Sequence, residues 1–164
     1  PPGPRLRGRD LRQPGPPPRG AIRMMGPQAR VLRSAQRRIV AHLRATRTQA
    51  KVEPAQGLFN FRCHENCVQW VRQRPDEDLE VVETVYVDNG EPILHYVVRE
   101  RVTGRLLEVT LGWRAKQLEY YPVRTLLPED LDHIHAEFNR SLDHWLRAYV
   151  PWWGRALLGI ERCL

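Results

Sequence analysis

The sequence has few cysteines, and they are not placed as a disulfide framework requires. Three cysteines are an odd number, and Cys63 and Cys67 are one helical turn apart. We therefore expect free thiols and a reducing, cytoplasmic compartment. The sequence also lacks any run of about 20 apolar residues, the length that spans a bilayer, and shows no signal-peptide pattern. We therefore expect no transmembrane segment.

Acidic residues are scarce in the first third of the chain. Residues 1–51 carry thirteen Lys or Arg against Asp10 alone, a charge of +12, whereas residues 52–164 carry −5. Residues 1–25 are rich in Pro, Gly and Arg and are expected to be a disordered tail. Residues 26–51 predict a basic amphipathic helix, because apolar side chains recur at three- and four-residue steps. The basic arm, residues 5–51, could bind nucleic acid or an acidic partner. Its helix could instead lie on an anionic membrane, or dock on its own domain with the arginines in solvent.

Residues 52–164 predict an α+β domain. A helix follows Cys63 and ends before Pro75, and Asn89-Gly90 is typical of a tight hairpin turn. A second helix is expected from Pro128, with an apolar stripe that should pack on the sheet. The predicted architecture is N-terminal helices, a three- to four-stranded antiparallel β-meander and a C-terminal helix on the sheet. The strands are expected at residues 79–87, 93–102, 105–111 and 117–125.

Cys63 opens a predicted helix, and that position activates a thiol. The positive end of the helix dipole and the unpaired N–H groups lower the thiol pKa towards the thiolate, the form that attacks carbonyls. The alternative is an inert buried thiol, which is how we interpret Cys67. An oxyanion would need donors nearby, and the candidates are the Cys63 backbone N–H, the Gln56 side chain and, as an alternative, Asn60. Asn66 is interpreted as a helix-surface residue.

His95 is the histidine that lies on a predicted strand, in the position where a thiol active site would need its general base. Glu108, on the following strand, would orient its imidazole. A two-residue turn at Thr103-Gly104 would place Glu108 about 13 Å away along the strands, whereas a loop of residues 101–104 would place it one diagonal step from His95. An ion pair between Glu108 and Arg99 is the alternative role. His64 is expected to be a weaker partner of Cys63, because adjacent helical side chains point about 100° apart; His133, His135 and His144 are expected at the surface or flank of the last helix.

Three short segments carry a resemblance to a known superfamily: CHEN at residues 63–66, HYVV at 95–98 and GRLLEVT at 104–110. Over about residues 56–112 the chain resembles the papain-like superfamily in its broad sense, with its transglutaminase-like, cell-wall-hydrolase and deamidase branches. The resemblance implies that Cys63 attacks an acyl carbon, His95 shuttles the proton, and water or an amine resolves the thioester. It implies a cysteine peptidase, amidase, deamidase or acyltransferase, but the substrate does not follow from it. We expect a protein or peptide substrate and no cofactor or metal. Glu108 departs from the Asp or Asn usual at the third position, and the spacing from His95 is short.

Two other functions compete with the thiol enzyme. A metal module could use Cys63, His64 and Cys67, although structural zinc usually takes four ligands from two separated pairs. A non-enzymatic interaction module would use the basic arm to bind nucleic acid or an acidic partner, with the α+β domain as its scaffold. The second alternative explains the charge asymmetry, and the thiol enzyme explains the order of Cys63, His95 and Glu108.

Overall fold

The computed structural model describes residues 26–60 and 62–164. It confirms the α+β class: helices pack on one five-stranded sheet. The predicted tail, residues 1–25, lies outside the described residues. The helices are α1 (Pro27–Thr46), α2 (Cys63–Arg72), α3 (Ile134–Tyr149) and α4 (Trp152–Leu158). The strands are β1 (Val52–Pro54), β2 (Leu79–Asp88), β3 (Glu91–Glu100), β4 (Leu106–Glu108) and β5 (Glu119–Thr125).

The sheet has the order β1-β4-β3-β2-β5, which adds two features to the predicted meander. The first is β1, which pairs in parallel with β4. It takes the edge position beside β4 where a continuous meander would place the predicted fourth strand. The second is a 3₁₀ helix, Gly112–Gln117, that leads the chain from β4 to β5. Because of this crossing, β5 pairs antiparallel with β2 at the opposite edge. The hairpin of β2 and β3 turns at Asn89 and Gly90, as predicted, with positive φ at both residues.

Helix α1 is part of the domain. Its buried side chains Ala35, Ile39, Val40 and Leu43 belong to the same apolar core as α2, α3 and one face of the sheet. A smaller core, with Val82, Val97 and Tyr120, covers the other face near the 3₁₀ helix. Burying a large aliphatic side chain contributes roughly 1.5–3 kcal/mol, so the apolar stripe accounts for the docking of α1. The arginines of α1 are exposed.

The segment before α2 is held against the end of β4. The backbone N–H groups of Ala55 and Gln56 both donate to the Glu108 carbonyl, at 2.9 and 3.1 Å. A Cβ on Gly112, whose φ is +55°, would lie 3.1 Å from the Gly57 Cα atom, so this close approach and the positive φ both favour glycine at position 112. These contacts bring the start of α2 to the carboxyl end of β4.

Candidate active site

Cys63 is the first residue of α2, as the sequence predicts. The N–H groups of a first helical turn have no partner inside the helix, so they present a positive potential at the sulfur. The turn is anchored by Asn66, whose amide donates to the Thr110 hydroxyl at 2.9 Å and to the side-chain oxygen Oδ1 of Asn60 at 2.8 Å. Asn66 is buried, so its interpretation as a helix-surface residue is wrong. It ties the nucleophile's helix to the chain that follows β4.

The register of β3 and β4 brings His95 and Glu108 together. Val98 pairs with Leu107, and Arg99 with Leu106, which is the register expected for a turn of residues 101–104. His95 Nε2 lies 2.8 Å from Glu108 Oε2, and both side chains are buried. Arg99 instead pairs with Glu80, so the alternative of a Glu108–Arg99 ion pair is wrong.

Glu108 is saturated with donors. Its Oε2 atom also accepts from the Tyr120 hydroxyl at 2.8 Å, and its Oε1 atom accepts from the backbone N–H groups of Thr110 and Leu111 at 2.7 and 3.0 Å. Burial would raise the pKa of this carboxyl, but the hydrogen bond and charge of His95 and the two N–H groups lower the pKa below its ordinary value. Glu108 is therefore an ionised acceptor held in one orientation.

The Cys63 thiol and the His95 imidazole act electrostatically as a pair. Burial would raise the thiol pKa, but the charge of His95 and the nearby rings of His95 and His64 lower it. Burial would lower the imidazole pKa, and the thiolate together with Glu108 raises it instead. Since Glu108 occupies Nε2, Nδ1 is the nitrogen left for the sulfur. The arrangement favours a thiolate–imidazolium pair.

The pair opens into a cavity of about 170 Å³. Its walls are mainly apolar, with Phe138 and Leu142 from α3 on one side and Tyr86 from β2 on another. Arg162 and Leu164 from the end of the described chain also line it. A cavity of this size suits one acyl group or one side chain. Cys67, one turn after Cys63, is fully buried with a pKa raised by burial, in agreement with its predicted core role.

Gln56 has an exposed side chain that is not among the residues lining this cavity. Its backbone N–H is already bonded to the Glu108 carbonyl. Its role as an oxyanion donor stays a prediction, and the Cys63 backbone N–H is the donor that the helix start supplies. The Asn60 side chain is bonded to Asn66 and to the Arg62 N–H.

Sequence reasoning missed the burial of His64 against α3. Its ring is buried, stacks on Phe138 with centroids 4.6 Å apart, and places Nε2 3.1 Å from Nδ1 of His135. His135 Nε2 in turn lies 2.9 Å from Glu65 Oε1. Within residues 26–60 and 62–164, His64, Glu65 and His135 are the group whose ligand atoms lie close enough for one metal ion, and neither Cys63 nor Cys67 belongs to it. The proposed metal set of Cys63, His64 and Cys67 is therefore not assembled.

Comparisons of this chain with family models, with curated proteins and with solved structures found no match. None of the helices in the described part of the chain is both long and apolar enough to cross a membrane.

Proposed function

We propose that this chain is a thiol-dependent acyl-transfer enzyme with Cys63 as nucleophile and His95 as base. The observation that carries the proposal is the 2.8 Å bond from His95 Nε2 to the buried Glu108 carboxylate, at the cavity where α2 presents Cys63. Glu108 fixes the tautomer and stabilises the charge of the imidazolium, the role of a carboxylate in a nucleophile–imidazole–acid triad. The resemblance of residues 56–112 to the papain-like superfamily supports the same assignment.

The chemistry follows from this arrangement. The Cys63 thiolate attacks the carbonyl carbon of an ester or amide, which forms a C–S bond and a tetrahedral oxyanion that the Cys63 N–H can stabilise. The oxyanion collapses, the bond to the leaving oxygen or nitrogen breaks, and the His95 imidazolium gives its proton to that atom. His95 then removes a proton from water or an amine, which attacks the thioester and regenerates the thiolate. Peptidase, amidase, deamidase and acyltransferase share these steps, with a protein or peptide as the proposed substrate.

Acylation by p-nitrophenyl acetate tests the proposal. We expect a burst of p-nitrophenolate and one acetyl group on Cys63, located by peptide mass spectrometry. Cys63→Ser should abolish the burst, and His95→Gln should slow it by roughly 10²-fold or more because no base remains. Cys67→Ala is the matched control, one turn along the same helix, and should keep the burst. Acetylation spread over all three cysteines, or a burst that survives Cys63→Ser in a folded protein, would overturn the assignment.

A second candidate function, polyanion binding, is favoured by the outward face of α1. Arg30, Arg33 and Arg37 are exposed, and within the described residues none of them makes an ion pair. Exposed arginines elsewhere, such as Arg114, Arg140 and Arg147, each pair with an acid. Among the described residues, nothing therefore competes with phosphates for these three guanidinium groups.

Fluorescence anisotropy with a labelled single-stranded oligonucleotide tests this second candidate. The logarithm of the binding constant should fall linearly with the logarithm of the salt concentration, because each neutralised phosphate releases counterions. Replacing Arg30, Arg33 and Arg37 with Gln should reduce the slope by up to about 2 units. Replacing Arg114, Arg140 and Arg147 with Gln removes the same charge from arginines that are paired with acids. This change should reduce the salt slope less. Equal losses from the two triple variants would indicate a net-charge effect and contradict a binding face on α1.

A further inference from the structure

Two histidines and a glutamate form a cluster beside Cys63, and none of the three makes or breaks a bond in the proposed acyl transfer. His64 and Glu65 lie on the first turn of α2, and His135 lies on the first turn of α3. His64 Nε2 is 3.1 Å from His135 Nδ1, and His135 Nε2 is 2.9 Å from Glu65 Oε1. The ligand atoms of all three residues lie within 4.8 Å of one another. The packing of α2 against α3 creates the cluster, so it belongs to the folded state.

The hydrogen bonding leaves one lone pair of His135 aimed at His64. Glu65 is an acceptor, so it holds the proton of neutral His135 on Nε2 and leaves the Nδ1 lone pair facing His64 Nε2. A proton on His64 Nε2 would fill this gap. The other ring nitrogen, Nδ1, is buried and has no hydrogen-bond partner in the described part of the chain, whichever nitrogen carries the proton. With the His64 proton on Nδ1 instead, two imidazole lone pairs converge on one point.

We propose that His64 Nε2 and His135 Nδ1 bind a divalent transition-metal ion such as Zn²⁺, with Glu65 as the supporting carboxylate. Two Zn–N bonds of about 2.0–2.1 Å at a tetrahedral angle separate the nitrogens by about 3.4 Å, close to the observed 3.1 Å. Glu65 bonded to the far nitrogen of a liganding histidine is the usual outer-shell arrangement, and it raises the basicity of the ligand. A rotation of the Glu65 side chain would also bring its carboxylate to the ion as a third ligand.

The surroundings suit an ion that enters from solvent. His64 is held on its buried side by the Phe138 ring, whereas the His135 side chain is 68% exposed. The His135 side of the cluster is therefore open to water. Imidazole ligands favour Zn²⁺, Co²⁺ or Ni²⁺ over Mg²⁺ or Ca²⁺, which prefer oxygen. Arg62 lies 3.2 Å from the second Glu65 oxygen and is the nearby cation that binding must accommodate.

Cobalt titration of the metal-stripped full chain tests the site, since Co²⁺ bound by imidazole gives a visible absorption spectrum. We expect one saturable equivalent, displaced by Zn²⁺ and not by Mg²⁺. His135→Ala should abolish the spectrum, and Glu65→Gln should weaken binding by roughly 10- to 100-fold. His135 is exposed, so its removal should leave the fold intact, which circular dichroism checks. His144→Ala, an exposed histidine on the same helix, is the matched control and should bind as the unaltered chain does.

The outcome is independent of the proposed acyl transfer. Cys63→Ser should keep the cobalt site, because both ligand nitrogens belong to other residues. This holds even if the chain proves to have no acylation burst. No saturable spectrum, or a spectrum that survives His135→Ala, would overturn the proposal. A spectrum lost in Cys63→Ser would mean that the ion sits on the thiol, and would equally contradict a site on His64 and His135.

Discussion

Glu108 Oε2 lies 2.8 Å from His95 Nε2, and both residues are almost completely buried. The carboxylate is thirteen residues along the chain from the imidazole, on the neighbouring strand, and four donors hold it in place. A buried charge is stable only when it is paired and hydrogen-bonded, and Glu108 meets both conditions. Its orientation decides which nitrogen of His95 is left for Cys63.

Glu108→Gln should disable the thiol while the chain remains folded. The new amide would offer N–H to His95 Nε2 and favour the tautomer with its proton on Nδ1, which cannot accept the thiol proton. We expect acylation of Cys63 to fall by roughly 10²-fold or more. Unfolding in urea should show a loss of about 1–3 kcal/mol, since the carboxylate loses its ionic hydrogen bonds.

Tyr120→Phe provides the control for this change. It removes one donor from the same Glu108 oxygen but leaves the bond to His95. We expect a stability cost of about 1 kcal/mol and little change in acylation rate. Similar acylation losses in the two variants would mean that Glu108 acts only through packing, and would contradict its role in orienting His95.

Alkylation of Cys63 by iodoacetamide should persist below neutral pH. The folded thiol pKa is lowered by His95 despite burial, so the thiolate is present at neutral pH and is lost only as pH falls through that lowered pKa. The apparent pKa should lie well below the value of about 8.5 for an unperturbed thiol. Mass spectrometry of labelled peptides, with EDTA in the buffer, measures the rate at each pH.

Cys67 and Cys163 are internal controls for this profile. Burial raises the pKa of both thiols, so both should label slowly at neutral pH. All three cysteines should label alike in denaturant, where the fold no longer separates them. A Cys63 rate that rises only through the pKa of a free thiol would contradict the thiolate–imidazolium pair.

The sequence was sufficient for the elements that depend on local chemistry. The Asn89-Gly90 turn fixes the β2–β3 hairpin, and the alternation of side chains keeps His95 and Glu108 on one face in either register considered. The choice between those registers depended on which residues form the turn after β3. The structure has Gly104 there with φ of +74°, its N–H bonded to the Glu100 carbonyl, so that residues 101–104 form the loop.

Features that depend on distant packing could not be predicted. Strand β1 has three residues and forms only because β4 offers it a parallel edge. His64 was interpreted from its angular distance to Cys63 on one helix, whereas its burial comes from α3, which brings Phe138 and His135 against it. The buried position of Asn66 likewise depends on Thr110, forty-four residues away.

Arg124→Met should destabilise the domain without affecting the thiol. Arg124 Nε donates to Glu83 at 3.0 Å and Arg124 Nη2 donates to Glu137 at 2.9 Å, and both carboxylates are only 3% exposed. Its loss leaves Glu83 buried without a cation, at a cost of about 3 kcal/mol.

Urea unfolding at neutral pH measures this effect. Arg140→Met is the matched control, since Arg140 also pairs with Glu137 but is largely exposed. It should cost at most about 1 kcal/mol. Equal losses in the two variants would contradict the proposed dependence of Glu83 on Arg124.

Leu142→Ala should change which acyl groups the cavity accepts. Leu142 lines the cavity of about 170 Å³ next to Cys63, and its truncation enlarges the space beside the sulfur. We expect the ratio of Cys63 acylation by p-nitrophenyl butyrate to that by p-nitrophenyl acetate to rise by roughly tenfold, because added methylenes gain apolar contact. Leu146→Ala removes the same atoms one turn later on α3, where the side chain packs on the core outside this cavity. A ratio that rises equally in both variants would indicate general loosening of α3 and contradict the cavity as the acyl site.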